Sequence, residues 1–135
     1  MRPGPPRGAT STLDVVVTAD MAPYALDGGV APPVCGTAAL GERVEQVCRT
    51  LLEPHLEDGE QGVGAALELA HRLPVPVGET MNLTATVATV GPTTLVCEVL
   101  VRHAGVNVAR GSFEQRVVPE AELQAEADQR RTLPG

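Results

Sequence analysis

Glu45 is a carboxylate set where it could work as a general base or a nucleophile. On a helical wheel Thr37, Gly41 and Glu45 step along one side at i, i+4 and i+8, and Glu45 falls beside Leu52 at the margin of an apolar stripe. A carboxylate at such a margin is partly desolvated, which raises its pKa toward that of a working base. The other reading is a helix-flank glutamate that faces solvent. His71 stands near the end of a strand-like run, LELAHRL. Its type suits proton transfer at neutral pH, and a satisfied structural histidine is the alternative. Thr37 could cap the helix, or its hydroxyl could hold a water or a carbonyl. The free N–H groups of a helix N-terminus can stabilise a developing oxyanion there. Gly64 opens a strand, where a missing side chain permits close approach of a ligand, or merely a bulge. His55, in an acidic loop, and His103, at a hairpin end, read as solvated.

Other chemistries lack their residues. There is no HExxH, no paired Cys/His spacing, no GxSxG elbow and no glycine-rich phosphate loop, so neither a metal nor a nucleotide cofactor is expected. The formal charge of −7 argues against general binding to nucleic acid or to an anionic membrane surface. Tyr24 and Phe113 are the only aromatic residues, too few for a base-stacking platform. Cys35, Cys48 and Cys97 are odd in number and far apart, and read as free buried thiols in a reducing compartment. No apolar run is long enough to span a bilayer, so no membrane partner is expected and the cytoplasm is the default location.

The elements that must position Glu45 follow from periodicity. The 135 residues fit one domain, read as a flexible leader over 1–10, a folded domain over 11–119 and a charged tail over 120–135. Residues 12–18 (TLDVVVT) read as a first strand, and a Gly/Pro/Ala-rich connection follows over 22–33. Leu40, Val44, Val47, Cys48, Leu51 and Leu52 mark one face of a helix over 37–53, stopped by Pro54. Four strand-like segments, 63–73, 80–90, 94–103 and 106–118, are separated by turn signals and predict an antiparallel meander. One helix cannot cover both faces of a five-stranded sheet, but it can fill the concave face of a curled one. The expectation is an α+β hotdog fold, a curled antiparallel five-stranded sheet wrapped around one long central helix, with an open edge that favours a homodimer.

The stretch VEQVCRTLLEPHLEDGEQGVGAALELAHRLPVPVG, residues 44–78, resembles the central segment of bacterial fluoroacetyl-CoA thioesterase and its thioesterase-like hotdog relatives. The similar pieces are a helix Glu followed three residues later by Cys, then P-x-L-E-x-G-E, a Gly-rich strand start, a His near the strand end and a proline turn before Gly. The spacing runs without a gap from Thr37 to Gly78 and continues more weakly to Val118. The resemblance implies catalytic roles for Thr37, Glu45 and His71, with Gly64 beside a bound acyl group and a site completed at a dimer interface. It implies hydrolysis of an acyl thioester, borne on coenzyme A or an acyl-carrier protein. The thioester carbonyl would lie near the helix N-terminus, and rim arginines, Arg72 and Arg110, would meet coenzyme A phosphates. Two departures stand out. Ala31 falls about where the family carries an aromatic gate, and the family's Gly-x-His-x-Arg is here Gly111-Ser112-Phe113-Glu114-Gln115, with Arg116 one residue late. Fluoroacetyl selectivity is therefore not expected; a bulkier or carrier-borne acyl group is. The rivals are a dehydratase, isomerase or cyclase on a carrier-bound intermediate, and a non-catalytic small-molecule binding or resistance protein.

Overall fold

A computed structural model describes residues 1–24, 29 and 31–131. Its strands are β1 (Thr10–Val16), β2 (Glu60–His71), β3 (Thr80–Val90), β4 (Thr94–His103) and β5 (Val106–Pro119). Its helices are α1 (Thr37–Leu52) and α2 (Glu120–Arg130), beside two short 3-10 turns. The five strands form one antiparallel sheet in the order β1-β3-β4-β5-β2. The helix α1 lies against all five strands. This is the hotdog arrangement expected from the sequence.

Alternation explains the core. On β3 and β4 the residues Leu83, Ala85, Val87, Leu95, Cys97, Val99 and Val101 are buried, while Thr84, Thr86, Val96, Glu98 and Leu100 between them are more exposed. The apolar stripe of α1 meets this face: Leu40, Val44, Val47, Cys48, Leu51 and Leu52 are all buried. Each large side chain so buried contributes roughly 1.5–3 kcal/mol. One polar side chain joins them. Gln115 of β5 is 1% exposed, and its Nε2 donates to the Cys48 carbonyl at 3.2 Å, pinning α1 to the sheet.

The N-terminal end differs from the sequence expectation. Residues 1–10 were expected to be a flexible leader, but they are laid along the domain and Thr10 opens β1. Gly8 donates to the Val87 carbonyl at 2.9 Å, Val87 donates back to Ala9 at 2.9 Å, and Arg2 donates to His55 O at 2.9 Å. His55 Nδ1 in turn donates to Pro3 O at 2.8 Å, so this histidine is held rather than freely solvated. A Pro/Gly-rich composition cannot reveal that its backbone groups find partners on a neighbouring strand. The charged tail forms α2, exposed along its length, and Glu120 N donates to Gly59 O at 2.7 Å. Residues 132–135 lie outside the described residues.

The β4–β5 turn carries one strained position. Ala104 has φ of 49° and Gly105 of 76°, the left-handed pair of a type I′ hairpin turn. A residue with a Cβ dislikes that region unless its side chain can bond locally, as Asn does. Ala104→Asn is expected to raise unfolding stability by about 1 kcal/mol. A denaturant titration with unchanged or lowered stability would contradict the turn assignment.

Candidate active site

The flank of α1 that bears Thr37, Gly41 and Glu45 faces the edge strand β2. Thr37 Oγ1 lies 3.1 Å from His71 Nδ1. A Cβ built on Gly41 would stand 3.2 Å from Leu67 Cδ2, and one built on Gly64 would stand 3.2 Å from Glu45 Oε1. The helix and the strand thus meet at three places, running in opposite senses.

This requires a break in the strand's alternation. Gly64 and His71 are an odd number of positions apart, so in a regular strand they would face opposite sides. Gly64 pairs with Gln115 and Ala66 with Glu114, which leaves Ala65 as an extra residue in β2. This β-bulge switches the parity. Before it Gly62 and Gly64 face the helix; after it Leu67, Leu69 and His71 do, opposite Phe113, Gly111 and Ala109. Gly64 is then forced to be glycine. A Cβ there would be 2.9 Å from Phe113 Cζ as well as close to Glu45.

Thr37 does not cap α1, contrary to one sequence reading. Gly36 occupies the N-cap, and Thr37 is the first helical residue, which frees its hydroxyl for His71. Gly36 is itself tied down, donating to Met21 O at 2.7 Å, and Cys35 donates to Val75 O at 2.8 Å. These bonds fix the helix entry beside the chain that leaves β2. The first N–H groups of α1 have no partner within the helix, and they lie next to the Thr37 hydroxyl. His71 Nε2 is buried and has no hydrogen-bond partner among the described residues.

The remaining sequence candidates are more scattered. Arg72 follows the end of β2, exposed, with its N–H donating to Val108 O at 2.9 Å. Arg110 pairs with Ala70 on the side of the sheet turned away from α1, so this chain does not bring it to Glu45. Ala31 is half-buried in the loop before α1, and residues 25–28 and 30 of that loop lie outside the described residues. Glu42, Glu45, Gln46, Arg49, Thr50 and Glu53 line an open groove of about 530 Å³ along α1, which shares only Glu45 with the Thr37–His71 contact. All three cysteines are free and buried. The hydrogen bond with Cys97 and burial push the Cys48 thiol well up, which keeps it protonated. His103 is also engaged, its Nε2 lying 3.2 Å from Glu79 Oε1.

Phe113 and Gln115 are the contacts that sequence reasoning left without a role. The signal was present: both are at inward positions of β5, two apart, in the segment where the motif departs from the family pattern.

A family model described as fluoroacetyl-CoA-specific thioesterase matches residues 16–121. The chain belongs to this family. Among solved structures, a Thermus thermophilus thioesterase superfamily member shares 26% identity over 96% of this chain and 94% of its own, with a TM-score of 0.89. The fluoroacetyl-CoA thioesterase shares 25% identity over 96% of this chain and 99% of its own, with a TM-score of 0.87. A hot-dog-like protein from Thermanaerovibrio acidaminovorans shares the fold, with a TM-score of 0.85 at 23% identity over 96% and 95% of the two chains. No curated protein matches the sequence. Membership of this thioesterase family makes the chain a thioester hydrolase.

The crowding at Gly64 gives a test. Gly64→Ala would drive a methyl group against the Phe113 ring and the Glu45 carboxylate. Thioesterase activity is expected to fall roughly 10²-fold, the scale of a misplacement of about 1 Å in a reacting group. Circular dichroism should still report a folded protein, and full activity in this variant would contradict the site geometry.

Proposed function

We propose that this thioester hydrolase cleaves an acyl thioester of coenzyme A or of an acyl-carrier protein, with Glu45, His71 and Thr37 as its catalytic residues and an acyl group other than fluoroacetyl. The observation that carries the reading is the 3.1 Å contact between Thr37 Oγ1 and His71 Nδ1, on the same helix–strand seam where Glu45 approaches Gly64.

The chemistry follows from the donors and acceptors. The thioester carbonyl lies at the N-terminus of α1, where free N–H groups and the helix dipole stabilise the oxyanion that forms. The acyl group rests on the bare backbone of Gly64. Glu45 takes a proton from the attacking water, or attacks the carbonyl carbon itself and forms an anhydride that water opens. The Thr37 hydroxyl donates to His71 Nδ1 and orients the attack with its lone pairs. His71 then carries its proton on Nε2, the buried atom without a partner among the described residues, and delivers a hydrogen bond to the leaving sulfur. The reaction adds water and releases an acid and a thiol. Arg72, at the rim, is the better placed of the two arginines for a coenzyme A phosphate, because Arg110 lies on the far side of the sheet.

A mutant of fluoroacetyl-CoA thioesterase has been captured with acetyl-CoA, and another with fluoroacetate and coenzyme A. Those structures support a coenzyme A thioester as one substrate form here. Ala31 stands where the aromatic gate of the family was expected, and this supports an acyl group different from fluoroacetyl.

The proposal includes a homodimer. The edge strand β2 runs over 12 residues with one side of its backbone unpaired, and its helix-facing Leu67 is 42% exposed. A second copy pairing along β2 would cover both and enclose the Thr37–Glu45–His71 seam. No helix among the described residues is long and apolar enough to cross a membrane, and three free thiols fit a reducing compartment, so the cytoplasm is the proposed location.

A thiol-release assay over acyl-CoA and acyl-carrier panels tests the chemistry. Glu45→Ala is expected to lower kcat by roughly 10²–10⁴-fold. Thr37→Ser should keep most activity, whereas Thr37→Val should lose roughly 10²-fold. Products with no added water, or full activity in Glu45→Ala, would overturn the mechanism. Sedimentation equilibrium is expected to give a dimer, and a monomer at working concentration would remove the β2 pairing.

A further inference from the structure

We propose that Phe113 sets the length of the acyl chain: the tip of its ring closes the acyl position beside Glu45 and restricts the substrate to short-chain acyl thioesters. This rests on the reading that the acyl group lies against Gly64. Phe113 is the only phenylalanine and is 2% exposed. It faces α1 from β5, between Leu67 on β2 and Cys97 on β4. Its Cζ and Cε1 lie 2.9 and 3.1 Å from the place a Gly64 Cβ would occupy, and Glu45 Oε1 lies 3.2 Å from that same place. The carboxylate and the ring tip therefore border the same floor, the Gly64 backbone, and crowd the spot that a Gly64 Cβ would take. An acyl carbon delivered to Glu45 across that floor has the ring ahead of it.

The ring sits among buried neighbours. Its cross-strand neighbour Cys97 is fully buried, and two residues along β5 the Gln115 side chain is held against α1 by its bond to the Cys48 carbonyl. Cores packed to this density do not yield to an extra methylene without forcing side chains off their rotamers. Leucine at 113 would keep an apolar side chain in the core but end short of the ring tip. The space released lies between the apolar neighbours Leu67 and Cys97, and such space admits apolar ligand atoms. Each methylene that enters is worth about fourfold in affinity or in kcat/KM.

The experiment compares wild type with Phe113→Leu on acetyl, butanoyl, hexanoyl and octanoyl thioesters, in both the coenzyme A and the carrier-protein series. It is joined by calorimetry with non-hydrolysable S-alkyl thioethers of coenzyme A and by thermal melting. Wild-type kcat/KM is expected to drop between butanoyl and hexanoyl. In the variant the hexanoyl-to-acetyl ratio should rise by about tenfold or more, the worth of two methylenes. A folded, active variant whose chain-length profile superimposes on that of wild type would overturn the role of Phe113 and leave the hydrolase reading intact. Wild type that cleaves none of these thioesters would overturn the reading and this inference together. Should the variant fail to fold, the wild-type thioether series decides alone. Affinity that stops rising once the alkyl chain reaches the ring supports the proposal, and affinity that climbs steadily through octyl contradicts it.

Discussion

Strand side chains alternate, so residues an odd number apart face opposite sides of a sheet unless an extra residue intervenes. Gly64 and His71 are such a pair, and Ala65 is the extra residue. The bulge turns Leu67, Leu69 and His71 toward α1 without turning Gly64 away. Without it, either the open floor beside Glu45 or the histidine beside Thr37 would be lost to the outer face. The bulge sits on an edge strand, where an unpaired residue leaves only one neighbouring strand to accommodate it.

The same seam depends on how firmly α1 is seated. Its buried stripe fixes the helix rotation, because Leu40, Val44, Val47 and Cys48 fill the concave sheet and leave the Thr37–Gly41–Glu45 flank toward β2. Gln115 fixes the helix along its axis by bonding the Cys48 carbonyl, one turn beyond Glu45. The entry is clamped by Gly36 and Cys35, so Thr37 starts the helix at a set distance from the end of β2. Glycines at 41 and 64 let the helix and the strand approach at the two places where a side chain would hold them apart. The proposed site is therefore distributed: three candidate side chains, positioned by a bulge, a buried amide and two absent side chains.

Much of this was legible in the sequence, for identifiable reasons. Strong period-two alternation gave β3 and β4 their observed bounds, Thr80–Val90 and Thr94–His103, and the apolar stripe gave α1 to within one residue. The resemblance brought Thr37, Glu45 and His71 together on spacing, and the first and last are in contact. The bulge left no mark in the sequence, because alanine fits a regular strand and a bulged one equally well. The parity of β2 past Gly64 was consequently unreadable. Thr37 was read either as a cap or as a hydroxyl that holds a water or a carbonyl; Thr and Gly both serve as caps, and Gly36 takes that place. Arg110 was taken for a rim residue on type alone, and strand alternation puts it on the far face. Phe113 was noted as a rare aromatic and within the departure from the family's Gly-x-His-x-Arg, without a role; its closeness to the Gly64 position is a contact between strands.

In the proposed reaction the thioester is opened on the seam between α1 and β2. A crystal structure with a non-hydrolysable S-(2-oxoalkyl) analogue of an acyl-CoA tests it directly. The carbonyl oxygen is expected at the N-terminus of α1 near Thr37, its carbon facing the Glu45 carboxylate, and the alkyl chain lying on Gly64. Analogue bound in the outer groove along α1, or on the far face of the sheet, with the Thr37–His71 contact undisturbed and Glu45 remote from the carbonyl, would contradict it.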